Sequence, residues 1–152
     1  MSTYTATIRW SRTGEGDFTK GQYNRAHEWA FDGGLTVRAS PSPHVVPAPW
    51  SDPAGVDPEE AFVASLSSCH MLFFLDFARR GGWVVESYTD NAEGVLDKSA
   101  SGRMAMTRVT LHPQITWGEN PPDERTIADL HHLAHEACFI ANSVTTKIGI
   151  EP

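Results

Sequence analysis

Alternating apolar and polar residues predict three strands in the N-terminal third of the chain. In Tyr4–Ser11 every second residue can face one side, which is the period of a strand with one buried face. Tyr23–Phe31 reads as a second strand, and the turn signal Asp32-Gly33-Gly34 leads to a third, Leu35–Ala39. The following segment, Ser40–Val56, holds five prolines and therefore predicts an ordered surface loop or an arm.

A long apolar helix is predicted to begin at Asp57. Asp57 is a suitable cap, Pro58 fits the first helical position, and Glu59 and Glu60 favour the positive end of the helix dipole. The pair Gly81-Gly82 predicts its end. Because apolar residues occupy nearly every face, we expect this helix in the centre of the fold.

The second half of the chain predicts two long strands, a second helix and a terminal strand. The long strands are Val84–Leu96 and Met104–Trp117, and the helix begins near Pro122. Its predicted buried side consists of Ile127, Leu130, Leu133, Ala134 and Ala137. With Val144–Ile150 as the last strand, the order is βββ-α-ββ-α-β. This order indicates an α+β fold, a single domain over residues 1–152, with antiparallel sheets packed around two central helices.

Charge and composition exclude several classes of function. Twelve basic and 19 acidic residues give a net charge of −7, so binding to nucleic acid has no electrostatic support. The N-terminus has no signal-peptide pattern. Ala61–Ala78 is long enough to span a membrane, but it contains Ser65, Ser67, Ser68, His70 and Asp76, so a buried core helix is the better interpretation. We expect a cytoplasmic protein whose cysteines are made as thiols.

The two cysteines are the main candidates for chemistry. Cys69 and Cys138 each lie in a mostly apolar helical stretch, beside imidazole or carboxylate groups. Free cysteine is among the most buried residue types, so two inert core thiols are one interpretation. The alternative is a reactive pair, because each of two helices expected in one core carries one cysteine.

A metal site is a further interpretation of the second helix. His131, His135 and Cys138 occur at i, i+4 and i+7, which places them along one helical face. Imidazole and thiolate are good zinc ligands, but the side chains of a single helix diverge and rarely supply three ligands to one ion. We therefore expect no bound metal at this face.

One arginine is predicted to lie on a polar and aromatic strand face. Tyr23, Arg25, His27 and Trp29 share a face if this segment is a strand, because strand side chains alternate. The pattern does not decide whether Arg25 covers a rim or projects into a site.

Two motifs resemble the OsmC/Ohr family (osmotically inducible protein C and organic hydroperoxide resistance proteins). The first runs from Asp57-Pro58-Glu59-Glu60 to Ser68-Cys69-His70, and the second is His135-Glu136-Ala137-Cys138 followed by Asn142-Ser143. His70 is typical of the OsmC-like branch, and Phe139 replaces a proline that is frequent in the family. The order of elements is also similar along almost the whole chain.

The resemblance implies a thiol peroxidase that reduces organic or other hydroperoxides and forms an intertwined homodimer. It gives Cys69 the place of the peroxidatic cysteine, Cys138 that of the resolving cysteine and Glu59 that of the glutamate in the motif. Arg25 is our choice for the active-site arginine, which Glu59 would hold by a bidentate pair. An external dithiol would reset the resulting disulfide, and this chemistry requires no cofactor, neither metal, flavin nor haem.

Helix geometry constrains this expected site. Ten residues of straight helix between Glu59 and Cys69 span about 15 Å. Either the chain bends between them, or the partner subunit supplies one of the polar residues. A non-catalytic dimer that binds an apolar small molecule stays open as an alternative function, as does a zinc-binding module.

Overall fold

The computed structural model describes all 152 residues, and the chain falls into two compact units, residues 1–61 and 62–152. The first contains a three-stranded antiparallel sheet in the order β1-β2-β3. Its strands are β1 (Ala6–Arg9), β2 (His27–Phe31) and β3 (Thr36–Ala39).

The predicted strands of the first unit are confirmed, but they are shorter than the pattern indicates. Gly34 adopts φ +87°, and the Phe31 amide donates to the Leu35 carbonyl, so the predicted glycine turn connects β2 to β3. Residues 40–56 form turns without a regular element, as their prolines predict. β2 begins only at His27, so Arg25 lies in a loop, which corrects its predicted strand position.

The first helix, α1 (Pro58–Arg80), begins and ends where the sequence predicts. The Asp57 carboxylate accepts a hydrogen bond from the Glu60 amide at 2.7 Å, and the Glu60 carboxylate accepts one from the Asp57 amide at 3.1 Å. This reciprocal pair is a capping box. At the other end, Gly82 has φ +81° and the Trp83 amide donates to the Ala78 carbonyl.

The central position predicted for α1 is only partly correct. One stripe of the helix is buried, consisting of Leu66, His70, Phe74 and Ala78. Leu72 is 60% exposed within the chain. The helix is also long and apolar enough to cross a membrane by length and composition, a test that core helices pass as well. Its buried stripe packs into two clusters of the second unit, as expected of a core helix.

Each predicted long strand of the second unit is divided in two. The four resulting strands are β4 (Val85–Asp90), β5 (Glu93–Lys98), β6 (Met104–Leu111) and β7 (Pro113–Trp117). β4 pairs with β7 and β5 pairs with β6, so the two halves of each long strand belong to different sheets. At the corner the Asp90 carboxylate accepts bonds from the His112 amide and from the Ser67 hydroxyl. These side-chain hydrogen bonds replace main-chain bonds between strands and allow the chain to pass from one sheet to the other. The alternation of apolar and polar residues does not reveal this change.

The second helix, α2 (Glu124–Ala137), is capped by Asp123, which accepts a bond from the Thr126 amide. The last strand, β8 (Lys147–Ile150), pairs parallel to β6, so this sheet is mixed where an antiparallel one was predicted. A parallel neighbour requires a crossover, and α2 lies in that connection. The observed order is βββ-α-ββββ-α-β, and the α+β class is confirmed.

Candidate functional site

Arg25 is held in a fixed loop of the first unit. Its main-chain amide donates to the Trp50 carbonyl at 3.1 Å. Trp29 Nε1 donates to His27 Nε2 at 3.1 Å, so the proton of His27 lies on Nδ1, which donates to the Arg25 carbonyl at 2.8 Å. The loop is tied from a second side by Trp10 Nε1, which donates to the Asn24 carbonyl. Both ring nitrogens of His27 are therefore occupied in positioning Arg25.

The Arg25 side chain folds back on its own loop. Its guanidinium donates to the Tyr23 carbonyl at 2.9 Å and to the Gly21 carbonyl at 3.4 Å. The guanidinium carbon lies 3.9 Å from the centroid of the Tyr23 ring, which is a cation–π contact. These contacts hold a positive charge against an aromatic surface.

Arg25 and Glu59 line one pocket of about 380 Å³ in the first unit. The remaining lining residues are mostly aromatic or apolar: Trp10, Phe18, Tyr23, His27, Pro41, Ser42, Val45 and Pro58. The volume suits a small organic molecule. A cavity of this composition offers an apolar wall with one cationic and one anionic side chain.

The predicted bidentate pair between Arg25 and Glu59 is not formed within the single chain. The ion pairs of the structure do not include it. The donors of Arg25 are directed to the carbonyls of Gly21 and Tyr23, which compete with the carboxylate for the same guanidinium. Glu59 is half-buried in the first turn of α1.

Cys69 and Cys138 are neighbours in the second unit. Cys69 is partly exposed in α1, whereas Cys138 is 1% exposed and caps the C-terminus of α2. Burial, reinforced by a hydrogen bond with the Cys69 thiol, raises the pKa of Cys138 from 9.0 to about 11. Cys138 Sγ also accepts a bond from the Ala141 amide at 3.4 Å. Both cysteines are free thiols, and they are adjacent.

α1 is uninterrupted from Pro58 to Arg80, so the chain does not bend between Glu59 and Cys69. The bend offered as one explanation for a shared site is therefore absent. The four predicted residues form two groups, with Arg25 and Glu59 at the pocket of the first unit and the two thiols in the second unit.

In the helix face that was a candidate zinc site, His131 pairs with a histidine of α1. His131 Nδ1 lies 3.0 Å from His70 Nε2, and both side chains are buried. Burial lowers the pKa of each histidine to about 4, so both are neutral at pH 7. No cluster of three His, Cys, Asp or Glu residues suited to a metal ion occurs in the chain.

The sequence interpretation missed the His70–His131 pair. It treated His131 as a possible zinc ligand and placed Leu133 on the buried side of α2, whereas Leu133 is 43% exposed. His70 and His131 each lie at helical spacing from buried apolar residues, and this spacing is the signal from which their burial could have been predicted.

The family model for OsmC-like protein matches residues 51–152 of the chain. This range includes Glu59, Cys69 and Cys138 and leaves out Arg25. No protein of curated function matches the chain.

Several solved structures are similar to this one. An OsmC-like protein of unknown function from Vibrio cholerae has 53% sequence identity and a TM-score of 0.96, with 99% of each chain covered. The organic hydroperoxide resistance protein OhrB of Bacillus subtilis has 20% identity and a TM-score of 0.70, with 99% of this chain and 97% of that chain covered. An organic hydroperoxide resistance protein OsmC from Legionella pneumophila has 16% identity and a TM-score of 0.70, with coverage of 99% and 95%.

The similarity to the last two proteins, at 20% and 16% identity, shows a shared fold only. The family match covers more than half of the chain, and the Vibrio cholerae protein is similar over its whole length. This chain belongs to the OsmC-like protein family.

Proposed function

We propose that this protein is a cytoplasmic thiol peroxidase that reduces organic or other hydroperoxides without a cofactor. Cys69 is the peroxidatic cysteine in this proposal, and Cys138 is the resolving cysteine. The observation that carries it is the adjacency of the two free thiols. A pair of neighbouring thiols needs only local movement to form a disulfide.

The reaction has three steps. The Cys69 thiolate attacks one peroxide oxygen, the O–O bond breaks, and the other oxygen leaves as an alcohol after it gains a proton. Cys69 is then a sulfenic acid. The Cys138 sulfur bonds to the Cys69 sulfur, and the sulfenic oxygen leaves as water with the Cys138 proton. An external dithiol reduces the disulfide and is itself oxidised to a disulfide.

The different exposure of the two thiols supports this division of roles. Cys69 is partly exposed, so a peroxide can reach it, whereas Cys138 is buried. The raised pKa of Cys138 keeps it protonated and poorly nucleophilic at neutral pH, which leaves the attack on the peroxide to Cys69.

The Arg25 pocket is the proposed binding place for the hydroperoxide. Its aromatic wall suits an apolar organic group, and the guanidinium suits the peroxide oxygens. Glu59 supplies the acidic side of the same pocket. We propose that the protein works as a homodimer in which the pocket of one subunit serves Cys69 of the other. Exposed apolar side chains on α1 and α2, Leu72 and Leu133 among them, support such an assembly.

The second candidate function is binding of an apolar small molecule without catalysis. The aromatic pocket supports it, because a cavity of about 380 Å³ with this lining binds such molecules whether or not the thiols react.

Consumption of cumene hydroperoxide by the reduced protein tests the proposal. We expect the wild type to consume one equivalent and to lose two hydrogens in the intact mass under non-reducing conditions. Cys69→Ser should consume none, and Cys138→Ser should consume peroxide but acquire one or more oxygens on Cys69. A wild type that binds the hydroperoxide while both thiols stay alkylatable would support the binding function.

A further inference from the structure

Two histidines are buried between α1 and α2 and have no part in the proposed reaction. His70 is 1% exposed and His131 is 4% exposed. His70 Nε2 and His131 Nδ1 are 3.0 Å apart, which is a hydrogen bond between the helices. The His131 ring also packs on Phe74, one turn further along α1, with the ring centroids 4.4 Å apart. The contact between the helices therefore includes a polar pair beside its apolar residues.

The stability of the fold alone does not favour a buried pair of histidines at this position. The outer nitrogens, His70 Nδ1 and His131 Nε2, are buried and have no partner in the protein. Two neutral imidazoles share one proton across their contact, so one outer nitrogen carries a hydrogen that no protein group accepts. Apolar side chains of similar size would fill the space without that cost.

The two histidines occupy particular places relative to the cysteines. His70 directly follows Cys69 in α1. His131 precedes Cys138 by seven residues, which is about two turns of α2. Because a hydrogen bond depends on distance and direction, it resists sliding of α2 along α1, which apolar contacts permit more readily.

We propose that the His70–His131 pair positions α2 along α1 and thereby holds Cys138 within reach of Cys69. The proposal rests on the two-cysteine cycle proposed above, since the condensation of sulfenic acid and thiol is the step that needs this alignment. The histidines are positioning residues and contact none of the reacting atoms.

The equilibrium between the protein disulfide and a reference dithiol gives the effective concentration of one thiol at the other. This quantity measures the alignment of Cys138 with Cys69 in the absence of peroxide. Protein dithiol and oxidised dithiothreitol are equilibrated with protein disulfide and reduced dithiothreitol, and the disulfide fraction is read by mass after alkylation. In His70→Leu/His131→Leu we expect the effective concentration to fall at least about fivefold. The leucines remove the polar link but fill a similar volume.

A conservative variant should restore the alignment. In His70→Gln/His131→Asn the side-chain amides reach the positions of Nε2 and Nδ1 and form a hydrogen bond again. We expect its effective concentration to return to within about twofold of the wild type. If the double leucine variant does not fold, His131→Phe replaces it, since Phe keeps the contact with Phe74 but lacks Nδ1.

Phe74→Leu is the matched control, because it weakens the same contact between the helices and leaves the polar link intact. We expect a lower Tm and a near-wild-type effective concentration. The inference is overturned if the leucine variants keep the effective concentration of the wild type. It is also overturned if, at an equal loss of Tm, their effective concentration falls no more than that of Phe74→Leu. Neither result affects the two-cysteine cycle. A wild type that forms no disulfide at any dithiothreitol ratio overturns both the inference and the two-cysteine cycle.

Discussion

At the scale of single residues, the polar groups of the candidate site lie in two different environments. The Arg25 guanidinium lies at the pocket of the first unit, where carbonyls and an aromatic ring hold it. Cys138 is enclosed, and burial favours its neutral form. Arg25 is thus only partly buried, whereas the buried side chains of Cys138, His70 and His131 are neutral at pH 7.

Replacement of Arg25 tests its role at this scale. We expect Arg25→Ala to fold normally and to lower the rate of Cys69 oxidation by hydroperoxide at least about tenfold, since the site loses its positive charge. The rate is read from stopped-flow peroxide consumption and from Cys69 alkylation at neutral pH.

Arg38→Ala is the matched control for Arg25→Ala. Arg38 is exposed, pairs with Asp52 and does not line the pocket, so its loss should leave the rate unchanged. If Arg38→Ala slows oxidation and Arg25→Ala does not, Arg38 is the activating arginine.

The raised pKa of Cys138 predicts a loss of stability in alkali. The unfolded thiol loses its proton near pH 9, whereas the folded thiol keeps it up to about pH 11. Between these values the folded state binds more protons, so the free energy of unfolding falls as the pH rises. Urea denaturation of the reduced protein at pH 8, 9 and 10 measures this fall. Cys138→Ala should show a smaller decrease; an equal decrease would assign the effect to other groups.

At the scale of elements, α1 depends on its capping box. Asp57 and Glu60 satisfy each other's amides before the first apolar turn, so the helix begins at a defined residue. Leu66, His70, Phe74 and Ala78 recur at every fourth residue of the helix, so they lie on one face, and this face forms the buried stripe.

Loss of this cap should cost a measurable amount of stability. We expect Asp57→Ala to lower the free energy of unfolding by about 1 kcal/mol, because the Glu60 amide loses its acceptor. Urea denaturation at pH 7 measures the change. Asp57→Ser keeps an acceptor and should recover most of it, and equal stability of all three proteins would contradict a role for the cap.

At the scale of the whole molecule, the proposed homodimer accounts for the apolar side chains that one chain leaves exposed. Leu72 on α1 and Phe139 after α2 are 60% and 71% exposed. Large exposed apolar groups mark interaction surfaces when they cluster. Because α1 does not bend between Glu59 and Cys69, the partner subunit is the remaining explanation for a shared site. A dimer would bring Arg25 of one chain to Cys69 of the other.

Mixed dimers test whether the partner supplies the arginine. Arg25→Ala is expected to be strongly impaired and Cys69→Ser inactive, but a dimer of one with the other contains one site with both residues intact. Random mixing should therefore restore about a quarter of the wild-type activity, because half of the dimers are mixed and each has one working site.

Subunits are exchanged by denaturation and refolding of the mixture, and sedimentation confirms that the product is dimeric. Refolded wild type is the control for recovery. No activity after mixing would show that Arg25 and Cys69 of the same chain act together, and sedimentation of the wild type as a monomer would contradict the dimer.

The sequence by itself determined the properties that depend on local chemistry. Capping residues and glycines set both ends of α1, and the α+β class and the family resemblance followed from the order of elements and the two cysteine motifs. These features are readable because cap, turn and apolar period act over a few neighbouring residues.

Only the tertiary structure decided the features that depend on distant residues. The corner at Asp90 needs His112 and Ser67, and the parallel pairing of β8 needs the path of the chain through α2. Arg25 turned to nearby carbonyls instead of Glu59, because loop geometry offered acceptors that no motif records. The histidine pair likewise formed because two helices brought together residues 61 positions apart.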